Sequence, residues 1–70
     1  MKFYETFDLK TRKNYWWTQR DKKGRCAEIR QNDKWTFDLF ICDSYKSTHK
    51  TLQKAIDESK KYVGEHTVGY

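Results

Sequence analysis

The side chains able to do chemistry are few in this chain, and their spacing argues against most chemistry. Cys26, Cys42, His49 and His66 are the candidate soft metal ligands. No two of them stand at the close separation that ligand motifs use, so isolated thiols on strands and exposed imidazoles are expected instead of a zinc set. Glu28, Asp33, Asp38 and Asp43 show no spacing that acid–base or metal work demands. There is no glycine-rich loop able to cradle a phosphate. The residue pattern therefore predicts a chain that is not an enzyme, with no catalytic residues, no metal and no small-molecule cofactor.

Positive charge beside aromatic rings is the pattern that does point to a partner. The net charge is +5 over 70 residues. Residues 10–25 hold Lys10, Arg12, Lys13, Arg20, Lys22, Lys23 and Arg25 against the single carboxylate Asp21, a local balance of +6. The remaining positions therefore sum to −1. Charge gathered in this way attracts a polyanion more strongly than the same charge spread evenly. Trp16 and Trp17 lie in the same stretch, and aromatic faces stack on unpaired bases. Arg12, Lys13, Arg20, Lys22, Lys23 and Arg25 are the expected phosphate contacts, with Arg30 in support and Trp16 stacking.

The turn that follows decides which tryptophan is available. In Asp21-Lys22-Lys23-Gly24, Asp at the first position and Gly at the fourth suit a type I turn whose glycine takes positive φ as a G1 bulge. A three-residue loop, Lys22-Lys23-Gly24, which the glycine position favours, would set Asp21 opposite Arg25, Gln19 opposite Ala27 and Trp17 opposite Ile29. Trp17 would then enter the core, leaving Trp16 with Thr18, Arg20 and Arg30 on the other face. A two-residue loop would shift the register by one and reverse the pair.

The elements that must position these residues are an antiparallel sheet and one helix. Aromatics make 17% of the chain, and each large ring can bury roughly 150–250 Å², enough for a small core. Strands are expected within residues 2–9, 14–21, 25–31 and 35–43. In the last of these Trp35, Phe37, Leu39 and Ile41 alternate with Thr36, Asp38, Phe40 and Cys42 and should face inward. Ser47 or Thr48 can cap a helix over residues 48–63. Leu52, Ala55, Ile56, Ser59, Tyr62 and Val63 mark its apolar face, with Gly64 as its stop. Residues 64–70 read as a tail. The fold class predicted is α+β, a three- to four-stranded antiparallel β-meander with one C-terminal amphipathic helix packed on one face, forming a single domain. No apolar run approaches the ~20 residues of a membrane span. Two unpatterned cysteines and an N-terminus without an apolar stretch point to a reducing cytoplasm and thiols that stay reduced.

A three-stranded sheet backed by a helix over residues 14–63 resembles the arm- or site-binding domains of tyrosine recombinases and plant AP2-type domains, which lay the sheet in a DNA groove. Thr51-Leu52-Gln53-Lys54-Ala55-Ile56 is similar to the helix opening of HicB-like antitoxins. The small size, lysine-rich character and lack of proline also suit a bacteriophage accessory protein that inhibits a host factor. Two partner classes are therefore expected of this chain. The first is nucleic acid, DNA or RNA, held by the basic hairpin and the exposed sheet face. The alternative is a protein partner, with the chain acting as an adaptor or inhibitor through Trp16, Phe40 and Arg30, since Trp and Arg are favoured interface anchors. No membrane partner is expected.

Overall fold

The computed structural model describes residues 2–64; Met1 and residues 65–70, most of the expected tail, lie outside the described residues. Five strands follow one another as β1 (Tyr4–Asp8), β2 (Lys13–Trp17), β3 (Ala27–Gln31), β4 (Phe37–Ile41) and β5 (Ser44–His49), and helix α1 (Leu52–Ser59) closes the described chain. Each strand pairs antiparallel with the next, in the order β1-β2-β3-β4-β5. The architecture is thus the expected α+β meander, with one more strand than the sequence suggested.

The extra strand is β5, taken from residues assigned to a loop and the helix start. Ile41 and Ser44 pair across a two-residue turn, Cys42-Asp43, with both φ angles positive, 50° and 67°. Positive φ at both central residues is the geometry whose twist suits a hairpin, and Asn-Gly or Asp-Gly is its usual signature. Cys-Asp carries no such signal. Beyond the turn, Ser44 to His49 offers no apolar alternation, because its core-side positions Ser47 and His49 are polar and bond to each other, Ser47 Oγ to His49 Nε2 at 2.7 Å. The β4–β5 register shifts between Leu39 and Phe40, so that Leu39 opposes Ser47 while Phe40 opposes Tyr45. Lys46 is the residue left over, and its Nζ lies 5.7 Å from the Tyr62 ring centre.

The helix accordingly starts later than Ser47 or Thr48. Thr51 is its N-cap, accepting a bond from the Lys54 N–H at 3.1 Å, which satisfies one of the unpaired first-turn donors. The Thr48 hydroxyl instead donates to Asp38 across the sheet. After Ser59 the chain tightens into turns, with Tyr62 and Val63 both donating to the Ser59 carbonyl. Those turns bury Val63 and carry Gly64 toward the β2–β3 hairpin.

The core is built from Ala27, Ile29, Leu39, Ile41, Ala55 and Val63, with Phe3, Trp16, Phe37, Leu52, Ile56 and Tyr62 partly buried around it. Helix α1 packs on β3, β4 and β5 and leaves the other sheet face open. Trp35, expected inside, is 64% exposed. It sits before β4 in a loop that repeats the geometry of the Asp21 turn. Asn32 N–H donates to the Thr36 carbonyl and Trp35 N–H to the Asn32 carbonyl, as Asp21 does to Arg25 and Gly24 to Asp21. Asn32 Oδ1 accepts from the Lys34 and Thr36 N–H groups, and Asp21 Oδ1 from those of Lys23 and Arg25. Trp35 thereby occupies the position of Gly24, with φ 62° against 78°. Alternation in sequence suggested a strand at Trp35, but the asparagine-directed turn holds it outside the sheet.

Candidate nucleic-acid interface

The register of β2 against β3 sets which rings reach the open face. Trp16 opposes Ile29 and Trp17 opposes Glu28, one residue away from the register that the three-residue loop predicts. The turn itself is as expected, closed by Asp21 N–H to Arg25 O at 2.8 Å and Gly24 N–H to Asp21 O at 3.0 Å. Nearer the sheet, however, Thr18 meets Ala27 twice: its N–H donates to the Ala27 carbonyl and its hydroxyl accepts the Ala27 N–H, both at 2.9 Å. Gln19 and Arg20 together therefore face Cys26 alone. An extra residue on one strand slips the pairing beyond it by one position and exchanges the faces. Trp16 is turned to the helix side, edge-on to Phe37 with ring centres 5.6 Å apart. Trp17 takes the open face in its place.

One cross-strand row then spans the whole sheet. Tyr4 pairs with Trp17, Trp17 with Glu28, Glu28 with Phe40 and Phe40 with Tyr45. Four of the five side chains are aromatic and the middle one is a carboxylate. Tyr4 stacks on Trp17 at 4.8 Å and 28°, and Trp17 Nε1–H donates to Thr6 Oγ1 at 3.1 Å, which fixes the indole. Phe40 meets Tyr45 edge-on at 5.9 Å. Lys2 Nζ lies 5.0 Å from the Tyr4 ring centre.

The neighbouring row on the same face runs Thr6, Tyr15, Arg30, Asp38, Thr48. Arg30 leans from it over the Phe40 ring at 4.7 Å and pairs through Nε with Glu28. The hydrogen bond to Glu28 raises the pKa of Arg30 above its ordinary value. A cleft of about 270 Å³ opens among Tyr15, Trp17, Ala27, Glu28, Phe40 and Asp43.

The basic residues are not one patch. Strand β2 separates them, so that Lys10, Arg12 and Lys13 lie at one end of the sheet and Arg20, Lys22, Lys23 and Arg25 at the other. Lys13 pairs with Asp33, whose pKa falls in consequence, and lies 5.5 Å from the Trp35 ring centre. At the far end Arg20 Nη1 donates to the Gly24 carbonyl at 2.6 Å, and Arg25 Nε stands 3.5 Å from Asp21 Oδ2. Lys22 and Lys23 are exposed at the tip of that hairpin. Asp21, the lone acid of the basic stretch, is 3% exposed and accepts three backbone N–H bonds, from Lys23, Arg25 and Gly64. These bonds, that from Gly64 foremost, hold its pKa down at about 2. It is the clasp between the β2–β3 hairpin and the end of the helical segment.

The sequence reading therefore missed Tyr4, Trp17 and Tyr45 as open-face rings. Strand alternation signals Tyr4 through its partner Phe3 on the other face, whereas Trp17 depended on a bulge and Tyr45 on an unmarked strand. Cys26 and Cys42 are free thiols at neighbouring strand ends, joined by a Cys42 N–H to Cys26 carbonyl bond of 3.1 Å. Among the described residues no three His, Cys, Asp or Glu side chains are grouped to hold a metal ion, and no helix is long and apolar enough to cross a membrane. Comparison with protein families, with characterised proteins and with solved structures finds no match to this chain.

Proposed function

We propose that this chain is a non-enzymatic nucleic-acid-binding domain that takes single strands on its open sheet face. The observation that carries the reading is the row Tyr4, Trp17, Phe40, Tyr45, four rings in register across five strands on a face that the helix leaves uncovered. Rings in such a row offer successive stacking platforms, and stacking is tolerant of sequence because every base has a π-face. Phosphates would be met beside the row by Lys2 and, on longer strands, by Lys22 and Lys23, with Arg20 and Arg25 shaping the hairpin that presents the two lysines. Arg30 supports the face from within, and Arg12 and Lys13 serve strands long enough to reach the opposite end. Trp16 has no part in contact on this reading; it packs in the core.

Fluorescence titration of a labelled dodecamer oligonucleotide at several salt concentrations tests this. Trp17→Ala is expected to lose about 1–3 kcal/mol of single-strand affinity with little change in salt slope. Lys22→Gln with Lys23→Gln should instead make the log–log slope shallower by about 1.4, at about 0.7 per phosphate contact. No retention of any oligonucleotide at low salt and tens of micromolar protein would end the nucleic-acid reading, since non-specific binding ordinarily falls near 100 µM to 1 µM.

A second reading has its own observation. The centre of the open face carries no net positive charge, because Arg30 pairs with Glu28 while Asp38 shares its row and Asp43 lines the cleft, and Tyr45 is 58% exposed beside Phe40. An aromatic surface with an arginine and no cationic excess suits a protein partner, for an adaptor or inhibitor role. In that case Trp17→Ala abolishes capture of a protein from cell extract treated with nuclease, while oligonucleotides never bind.

A further inference from the structure

The aromatic row is interrupted once, at Glu28, and the interruption lies in its middle. Trp17 and Phe40 stand on either side of it, on β2 and β4, with β3 between them. Two strand spacings set their backbones about 9.6 Å apart. A planar ring stacked on the face of Trp17 turned away from Tyr4 needs a contact distance of about 3.5–4.0 Å, and on the Phe40 side it meets the Arg30 guanidinium, which lies over that ring at 4.7 Å. The cleft bounded by Trp17, Tyr15, Glu28, Phe40 and Asp43 measures about 270 Å³, below the roughly 300–1,000 Å³ of sites for drug-sized ligands. One flat heterocycle fits its scale.

Glu28 gives that gap a chemical preference. An ionised carboxylate only accepts hydrogen bonds. Arg30 already takes one of its oxygens from beside the Phe40 ring, and Asp43 adds a second carboxylate at the cleft. The acceptor capacity left on Glu28 suits an N–H donor. We propose that the gap between Trp17 and Phe40 is a subsite for one nucleobase bearing an exocyclic amino group, whose N–H is donated to Glu28. Cytosine and adenine carry that group at the exposed edge. Thymine and uracil present a carbonyl oxygen in its place, and that oxygen meets an acceptor it cannot bond. The subsite rests on the nucleic-acid reading above, and adds to it a choice among bases.

Octamers of dC, dA and dT, titrated against the protein at one salt concentration by tryptophan fluorescence, test the assignment. The dC and dA strands are expected to bind about tenfold tighter than dT, the size of one hydrogen bond to a charged group. Glu28→Gln should shrink that preference below about threefold, because an amide can turn and donate to the thymine oxygen. A dC octamer with hydrogen in place of each cytosine amino group, tested on the unaltered protein, should fall to the dT level. If dC, dA and dT bind alike, or if the altered cytosine binds as well as cytosine, the subsite is refuted while nucleic-acid binding stands. If none of the octamers binds, the proposed function falls and takes the subsite with it.

Discussion

Among the described residues, four other than glycine adopt positive φ, and all stand in hairpin turns: Arg12, Trp35, Cys42 and Asp43. Trp35 is the bulkiest of them and the most instructive. Its counterpart Gly24 holds the same place in a turn of the same bonding pattern, so the backbone asks for glycine and receives an indole. A left-handed conformation costs an L-residue about 1–2 kcal/mol, and the Lys13 ammonium over the ring returns about 0.5–1 kcal/mol at an exposed site. Trp35→Gly is therefore expected to raise stability by about 0.5–1 kcal/mol, seen as a melting temperature about 2–8 °C higher in a domain this small. A lower melting temperature would mean that the ring stabilises the fold through contacts beyond Lys13. Asp21 makes the opposite case, a side chain on which the fold depends. Its carboxyl is held at about 2 in the fold against an ordinary 3.8. Since the folded value is the lower one, its contribution is complete above about pH 4 and is lost as pH falls toward 2. Thermal melts of the protein and of Asp21→Asn should differ at neutral pH, the variant melting lower, and converge as the pH falls through that window. A constant gap between the two would show that charge on Asp21 is not what the three N–H donors require.

At the scale of elements, the parts legible in the sequence were those whose signals are local and apolar. Leu39 and Ile41 stand two apart in the largely apolar and aromatic run of β4 and are buried; the Asp21–Gly24 turn carries its aspartate and glycine at the positions its geometry needs. The helix face was read from Leu52, Ala55, Ile56 and Ser59, and its packing onto the sheet follows. What escaped did so for three physical reasons. The Cys42-Asp43 turn forms without glycine or asparagine, so β5 had no visible boundary. β5 itself pairs through its backbone and buries little, so no alternation marks it. The two-for-one pairing of Gln19 and Arg20 against Cys26 follows from Thr18 clasping Ala27, a contact between residues nine apart that no local pattern announces. That single slip moved the candidate site from Trp16 to Trp17. The helix start follows the same logic, because Thr48 is spent on Asp38 and capping falls to Thr51. Thr51→Ala should cost about 0.5–2 kcal/mol, measured by urea denaturation, whereas Ser47→Ala should leave the first turn of α1 as protected from hydrogen exchange as before. Equal loss of protection in both would return the cap to the earlier position.

At the scale of the whole molecule, the net charge of +5 is less informative than the path between its parts. The sheet divides the basic stretch into two ends, and the aromatic row lies between them. Arg12 lies five residues before Trp17 and Lys22 five residues after it, each about 17 Å of extended chain at ~3.4 Å per residue. The row from Tyr4 to Tyr45 crosses four strand spacings, about 19 Å, which about six nucleotides cover if stacked at ~3.4 Å each. A hexamer on the row therefore stops short of both basic ends, and a dodecamer has enough length to turn along β2 or the hairpin and reach either. If geometry governs binding, Lys10→Gln with Arg12→Gln leaves the salt slope of a hexamer unchanged and makes that of a dodecamer shallower by about 1.4. Lys22→Gln with Lys23→Gln does the same at both lengths. Were both double variants to weaken the hexamer equally, binding would be following total charge, as it does for a polyanion held loosely around a cationic body. The aromatic row would then have no special claim to the strand.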